Sequence, residues 1–173
     1  MADILKELTC RRSVRSYTDE VVSKDDILKI VEAGKFAASG MGRQPCIIVA
    51  VTDKSVRDKL SQMNASVMGK SDVDPFYGAN VVLLVLVDKS CPTGIYDGSL
   101  VMGNMMNEAA SLGLASCWIH RAKEMFESDE GKALLKKWGI QGEYEGIGNL
   151  IVGHAAGPIP EAKARKENFV YFV

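Results

Sequence analysis

The chain has 173 residues, with 21 Lys and Arg against 22 Asp and Glu, giving a formal net charge of −1. That balance argues against a general nucleic-acid binder, which carries a basic excess, and no apolar stretch reaches the roughly 18–20 residues that span a bilayer. With 47% apolar residues and about 70% of its surface buried on folding, a chain of this length closes one core without metal or disulfides.

Residues 1–173 are therefore read as a single domain, and in chain order its elements are as follows. Asp3 to Cys10 carries Ile4, Leu5 and Leu8 at helical spacing. Ser23-Lys24-Asp25-Asp26 resembles a capping box and opens a helix that runs to about Phe36, with Ile27, Leu28, Ile30, Val31 and Gly34 on one face. Cys46 to Thr52 reads as a buried strand, and Asp53 caps a helix bearing Val56, Leu60 and Met63. Asn80 to Val87 is a continuous apolar run, the signature of a strand covered on both faces. Asp97 to Leu112 is a Met- and Ala-rich helix stopped at Gly113, Leu114 to Ile119 a strand, Glu124 to Trp138 a helix, and Gly146 to Gly153 a strand. The pattern is α/β or α+β, with helices around a sheet of four or five strands.

From His154 the chain becomes an arm rich in Ala, Gly, Pro and charge, ending Asn168-Phe169-Val170-Tyr171-Phe172-Val173. As a strand this end is apolar on both faces. It either folds back on its own sheet and core or adds to the sheet of a second copy, which would make an obligate homodimer.

Cys10, Cys46, Cys91 and Cys117 are scattered without a C-x-x-C, and His120 and His154 lack the spacing of a metal pair, so reduced thiols and no metal are expected. The early acidic residue Asp3 and the lack of a signal-like core point to a cytoplasmic protein.

Four segments carry candidate chemistry. Arg11-Arg12-Ser13-Val14-Arg15 concentrates cation in a near-neutral chain, and Lys163-Ala164-Arg165-Lys166 repeats this in the arm. Each is either a solvated basic turn or a phosphate cradle, since the guanidinium fork suits phosphate oxygens. No G-x-G-x-x-G follows a strand and no P-loop is present, so any phosphate is held by side chains. Ala38-Ser39-Gly40 lies in a small-residue loop that either admits a flat ligand or simply joins helix to strand. Trp118-Ile119-His120 ends a strand, where it either lines a crevice or supplies a core Trp and a surface His.

Together these segments resemble the nitroreductase family. The matching pieces are Arg11 to Arg15 followed by Tyr17, Ala38-Ser39-Gly40 with Arg43-Gln44-Pro45, Gly113 to Ile119, and Gly153-His154 followed by Lys163 and Arg165. The resemblance implies an α+β fold with a mostly antiparallel sheet of four to five strands, in a homodimer that exchanges its C-terminal strands. It implies bound FMN, reduced by NADH or NADPH and reoxidised by a nitroaromatic, quinone or similar small acceptor. The alternatives are an enzyme of the same fold with other flavin chemistry, such as flavin reduction or dehalogenation, and a non-enzymatic FMN-binding module. Arg11 and Ser13 with Lys163 and Arg165 would hold the phosphate and ribityl chain, with Arg12 alongside and Arg15 near the pyrimidine end of the ring. Ala38, Ser39 and Gly40 would come from the other subunit, and Trp118, Ile119 and His120 would offer backbone contacts. No side chain is required as acid or base. Gly42 stands where the family often has Asn, and Cys46 where it usually has an aromatic. An inserted helical region of longer members is missing.

Overall fold

The computed structural model describes residues 4–173; Asp3, the first residue of the predicted leading helix, lies outside them. The helices are α1 (Ile4–Cys10), α2 (Lys24–Lys35), α3 (Lys54–Val67), α4 (Gly94–Ser111), α5 (Ala122–Glu127) and α6 (Asp129–Lys137), and the strands are β1 (Cys46–Val51), β2 (Val81–Asp88), β3 (Ala115–Ile119) and β4 (Tyr144–Gly153). Among the described residues the strands form one four-stranded sheet in the order β1-β2-β4-β3, antiparallel throughout. This settles the class as α+β.

The side-chain period of two along β2 sorts the core. Val82, Leu84 and Leu86 face α3, α5 and α6, where Leu60, Met63, Met125, Phe126, Leu134 and Leu135 pack. Val81, Leu83, Val85 and Val87 face α2 and α4, against Ile27, Ile30, Val101, Met102 and Met105. Covered on both sides, β2 is buried from Val81 to Val87, as its unbroken apolar run requires. β1, read from sequence as buried, is an edge strand and half-exposed along most of its length.

Local signals explain the helix ends. Ser23 Oγ accepts from the Asp26 amide at 3.0 Å and Asp53 Oδ1 from that of Val56 at 3.0 Å, each filling an N-terminal donor that the helix leaves open. The helix predicted over 124–138 is two helices. Ser128 takes extended backbone, ends α5 and caps α6 by accepting from the Gly131 amide at 3.1 Å. Gly131 permits the tight corner, since a Cβ there would lie 2.1 Å from the Met125 carbonyl oxygen.

Beyond β4 the chain forms only an isolated bridge between Tyr17 and Ala155, and residues 168–173 take up no strand. Phe169, Val170, Tyr171, Phe172 and Val173 are exposed, Phe172 to 96%. The end of the arm therefore packs neither on its own core nor on its own sheet. Among the described residues, no helix is long and apolar enough to cross a membrane.

Candidate functional site

The cationic segment is clamped to the outer edge of β3. Ser13 pairs with Ser116 in a parallel bridge, the Val14 amide donates to the Ser116 carbonyl at 3.1 Å, and Val14 is buried. Beyond it the Thr18 amide donates to His154 O and the Ala156 amide to Ser16 O, at 2.9 and 3.0 Å. Tyr17 OH donates to Val14 O at 2.8 Å. Burial, then the nearby Cys117, push the Tyr17 phenol well above its ordinary range, and Arg15 only partly opposes them. Tyr17 is thus a neutral strut that holds the turn.

The guanidinium groups divide their work. Arg12 Nη1 donates to Thr9 O and Arg11 O, both at 2.6 Å, closing the C-terminus of α1. Arg12 Nε and Arg11 Nη1 are buried and have no hydrogen-bond partner. Such orphaned cationic donors cost stability unless an acceptor arrives. They face a cavity of about 210 Å³ whose lining includes Arg11, Arg12, Gly113, Ser116 and Ile159. Ser116 Oγ is likewise buried and unpartnered; sequence reasoning placed Ser116 in a motif but gave it no role. Arg15 is exposed.

At the other end of β3, Trp118 is half-buried on the α4 side and Ile119 is buried on the opposite side. His120 is exposed, while its carbonyl accepts from Asn64 Nδ2 at 2.8 Å. Arg121 holds the left-handed conformation at φ 75°, and its Nε donates to Asn64 Oδ1 at 3.0 Å. Fully buried Asn64 on α3 therefore fixes the turn that presents residues 118–120. It went unnoticed in the sequence, where the only signal was an Asn within the apolar face of a helix.

Ala38, Ser39 and Gly40 follow α2 and enter a short 3₁₀ turn. Ser39 Oγ accepts from the Gln44 amide at 3.1 Å, and Gly40 N donates to Asp97 Oδ1 at 3.0 Å. A Cβ on Gly40 would meet Thr93 Oγ1 at 2.5 Å, so only glycine fits. Met41, Gly42 and Gln44 all have positive φ, at 55°, 65° and 51°. Asn is the other residue that enters this region readily, so Gly42 preserves a backbone that the family's usual Asn also allows. Ala38, Ser39, Cys46 and Asp97 help to line a cavity of about 610 Å³. Burial, with Asp97 and Cys91 adding, pushes the Cys46 thiol up to about 11, so it stays protonated and poorly nucleophilic.

The two halves lie at opposite corners of the sheet. Ser116 pairs with Val152, and Val152 with Val81, in one end row, whereas Cys46 pairs with Val87 at the other end. Three strand spacings across and six residues along amount to about 14 Å and about 20 Å. One chain therefore does not bring Arg11 to Arg15 and Ala38 to Gly40 together. Lys163 and Arg165 are exposed, and Arg165 Nη1 donates to Lys163 O at 3.4 Å. Because Ile159 lines the Arg11 cavity, Lys163 lies within about 14 Å of it along the chain.

What the fold and this turn define is an antiparallel α+β protein with an anion-complementary segment at one sheet edge. Comparison with known proteins narrows that class. The sequence model of the Nitroreductase family matches residues 8–92. An FMN reductase [NAD(P)H] of Bacillus subtilis is 30% identical over 179 aligned positions, covering 90% of this chain and 67% of that protein. A crystal structure of a nitroreductase with bound FMN from Bacteroides fragilis superposes with a TM-score of 0.91 at 26% identity over the whole of both chains. One from Desulfitobacterium hafniense, also with bound FMN, shares the fold at TM-score 0.87 and 24% identity, again over both whole chains. The chain belongs to the nitroreductase family.

Proposed function

We propose that this protein is an FMN-dependent NAD(P)H oxidoreductase whose active form is a homodimer, with each site built from both chains. The observation that carries the reading is the pair of buried, partnerless guanidinium nitrogens, Arg11 Nη1 and Arg12 Nε, on two residues that line one surface cavity. They fit a phosphate monoester, which satisfies them with charge-assisted hydrogen bonds.

Bound FMN would supply two-electron hydride chemistry, so that NAD(P)H, a proton and an oxidised acceptor yield NAD(P)⁺ and the acceptor reduced by two hydrogens. The chain's own residues bind and orient. Arg11 and Ser13 hold the phosphate end, joined by Lys163 and Arg165 as the arm closes over it, while Arg12 also secures α1. Arg15 offers a fixed cation to a ring system that gains negative charge on reduction. Ala38, Ser39 and Gly40 of the second chain give a flat, close-approaching wall, and Trp118, Ile119 and His120 present their backbone on the turn that Asn64 fixes. We assign no side chain as acid or base; burial keeps Tyr17 and Cys46 protonated, so neither is available as a base.

The acceptors this reading covers are nitroaromatics, quinones and similar small oxidants. A second reading, in which free flavin is the acceptor, is favoured by the activity named for the Bacillus relative. The test is a visible absorption spectrum of the purified protein before and after NADH or NADPH without oxygen. A yellow protein that bleaches, then recovers with a nitroaromatic or quinone, supports the first reading, and recovery with free flavin alone the second. A colourless protein that also refuses added FMN overturns both.

A further inference from the structure

We infer that Ser116 is a phosphate ligand in the Arg11 cavity and one of the residues by which this chain selects FMN over riboflavin. The inference rests on the FMN reading and goes beyond the residues that the family resemblance supplies.

Ser116 is only 2% exposed, and its hydroxyl is buried without a hydrogen-bond partner. A buried hydroxyl left unpaired costs stability, and its position offers no structural return, since Ala would fill the same place in β3 without that cost. An acceptor that arrives later resolves the discrepancy. The cavity is the right one: Ser116 lines it together with Arg11 and Arg12, whose orphaned nitrogens call for the same acceptor. The parallel bridge to Ser13 adds a second hydroxyl, because residues paired across a bridge send their side chains to the same face. At about 210 Å³ the space falls below the roughly 300 Å³ at which ligand pockets begin. It admits a tetrahedral group and leaves a fused ring system outside. Ala110, Gly113 and Ala115 keep the wall small, and Glu7 is the one carboxylate beside the two arginines in the lining.

The experiment compares FMN and riboflavin binding to apoprotein of the wild type, Ser116→Ala and Ser116→Thr, with thermal unfolding of each apoprotein alongside. Ser116→Ala should weaken FMN about ten-fold or more while leaving riboflavin unchanged, as expected for losing a hydrogen bond to a charged group. Its apoprotein should melt no lower than wild type, because the orphaned hydroxyl has gone. Ser116→Thr keeps the hydroxyl and should keep the FMN preference. Unchanged FMN affinity in Ser116→Ala, equal weakening of both flavins, or a lower apoprotein melting temperature would overturn the assignment. A wild type that binds neither flavin would instead overturn the FMN reading itself.

Discussion

The amide of Gly40 donates to Asp97 Oδ1 at 3.0 Å, a contact that joins residues 57 positions apart and ties the loop after α2 to the first turn of α4. The other oxygen of Asp97 accepts from Thr93 Oγ1 at 2.9 Å, and the carboxylate is buried. Between them these bonds hold a loop in which three of four successive residues from Met41 have positive φ, a conformation that persists only when its surroundings impose it. Asp97→Ala should therefore cost about 2 kcal/mol of folding stability by leaving the Gly40 amide without its acceptor and Thr93 Oγ1 with only the Cys91 thiol. Asp97→Asn, which keeps an oxygen for Gly40, should lose less. Urea unfolding of the two variants checks this, and equal losses would mean that the charge rather than the acceptor holds the loop.

The placement of Arg11 and Gly40 at opposite corners of one sheet makes a complementation test available. Arg11→Ala removes a charge-assisted contact and should weaken FMN by about 2 kcal/mol; Arg165→Ala should act in the same direction. Gly40→Ala forces a Cβ against Thr93 and should spoil the opposite wall. In a mixed dimer of Arg11→Ala and Gly40→Ala chains, one site receives both lesions and the other neither. Separately tagged chains purified as the heterodimer should bind one FMN per dimer at wild-type affinity. A site built within one chain would give none.

The same geometry shows what a sequence can and cannot convey. The apolar run at Val81 to Val87 announced a strand covered twice, because seven successive apolar residues have no other stable use. The single helix predicted over 124–138 broke at Ser128, although Ser128-Asp129-Glu130 carries both a cap and an acidic first turn; the continuing apolar spacing of Met125, Leu134 and Leu135 concealed it. The arginines of the cationic turn were legible as concentrated charge. Asn64, Asp97 and Ser116 were not, because each has its role from a partner far away in sequence or from a cavity that exists only after folding. The tail was legible as an apolar end that needs cover; the strand read there does not form in this chain, where residues 169–173 stay exposed.

Arg57 predicts how stability falls in acid. Its side chain is buried, donates from Nε to Ala79 O at 2.8 Å, lies over the Phe76 ring and pairs through Nη2 with Asp74. Burial pushes the Asp74 carboxyl up, but hydrogen bonds from Arg57, Ser61 and the amides of Gly78 and Phe76 outweigh it and hold the group below its ordinary value. A carboxyl lowered on folding contributes stability above its unfolded value of 3.8, and that contribution is lost as pH falls through the folded value. Asp74→Asn should therefore lower stability at pH 7 and flatten its decline below about pH 4. Removing the carboxylate leaves buried Arg57 with Asp58 as its remaining ion-pair partner, Nη1 to Oδ1 at 3.2 Å, so the cost should be about 1 kcal/mol, in the range of a partly exposed pair. Denaturant midpoints across pH 2–7 (a range set by ordinary carboxyl titration) test the idea. Parallel curves for the variant and wild type would assign the acid limb to other groups.

The outer edge of β1 and the exposed end of the arm are complementary in kind. Among the described residues β1 has a strand partner only on its β2 side, so its far edge offers unpaired amides and carbonyls beside half-exposed Ile47 and Val49. Residues 169–173 are apolar and exposed, and as a strand they would be apolar on both faces. Satisfying both by exchange between two copies would give the sheet a fifth strand and bury the exposed Phe169, Tyr171 and Phe172. Deleting residues 168–173 should then shift the protein from dimer to monomer and lower FMN content with it, since each site would lose its second wall. Phe172→Asp should act in the same direction without shortening the chain. Sedimentation velocity over a concentration series reads the outcome. A truncated protein that stays dimeric and fully loaded with FMN would place the dimer contact elsewhere, on the exposed apolar residues Ile95, Tyr96 and Leu100 of α4.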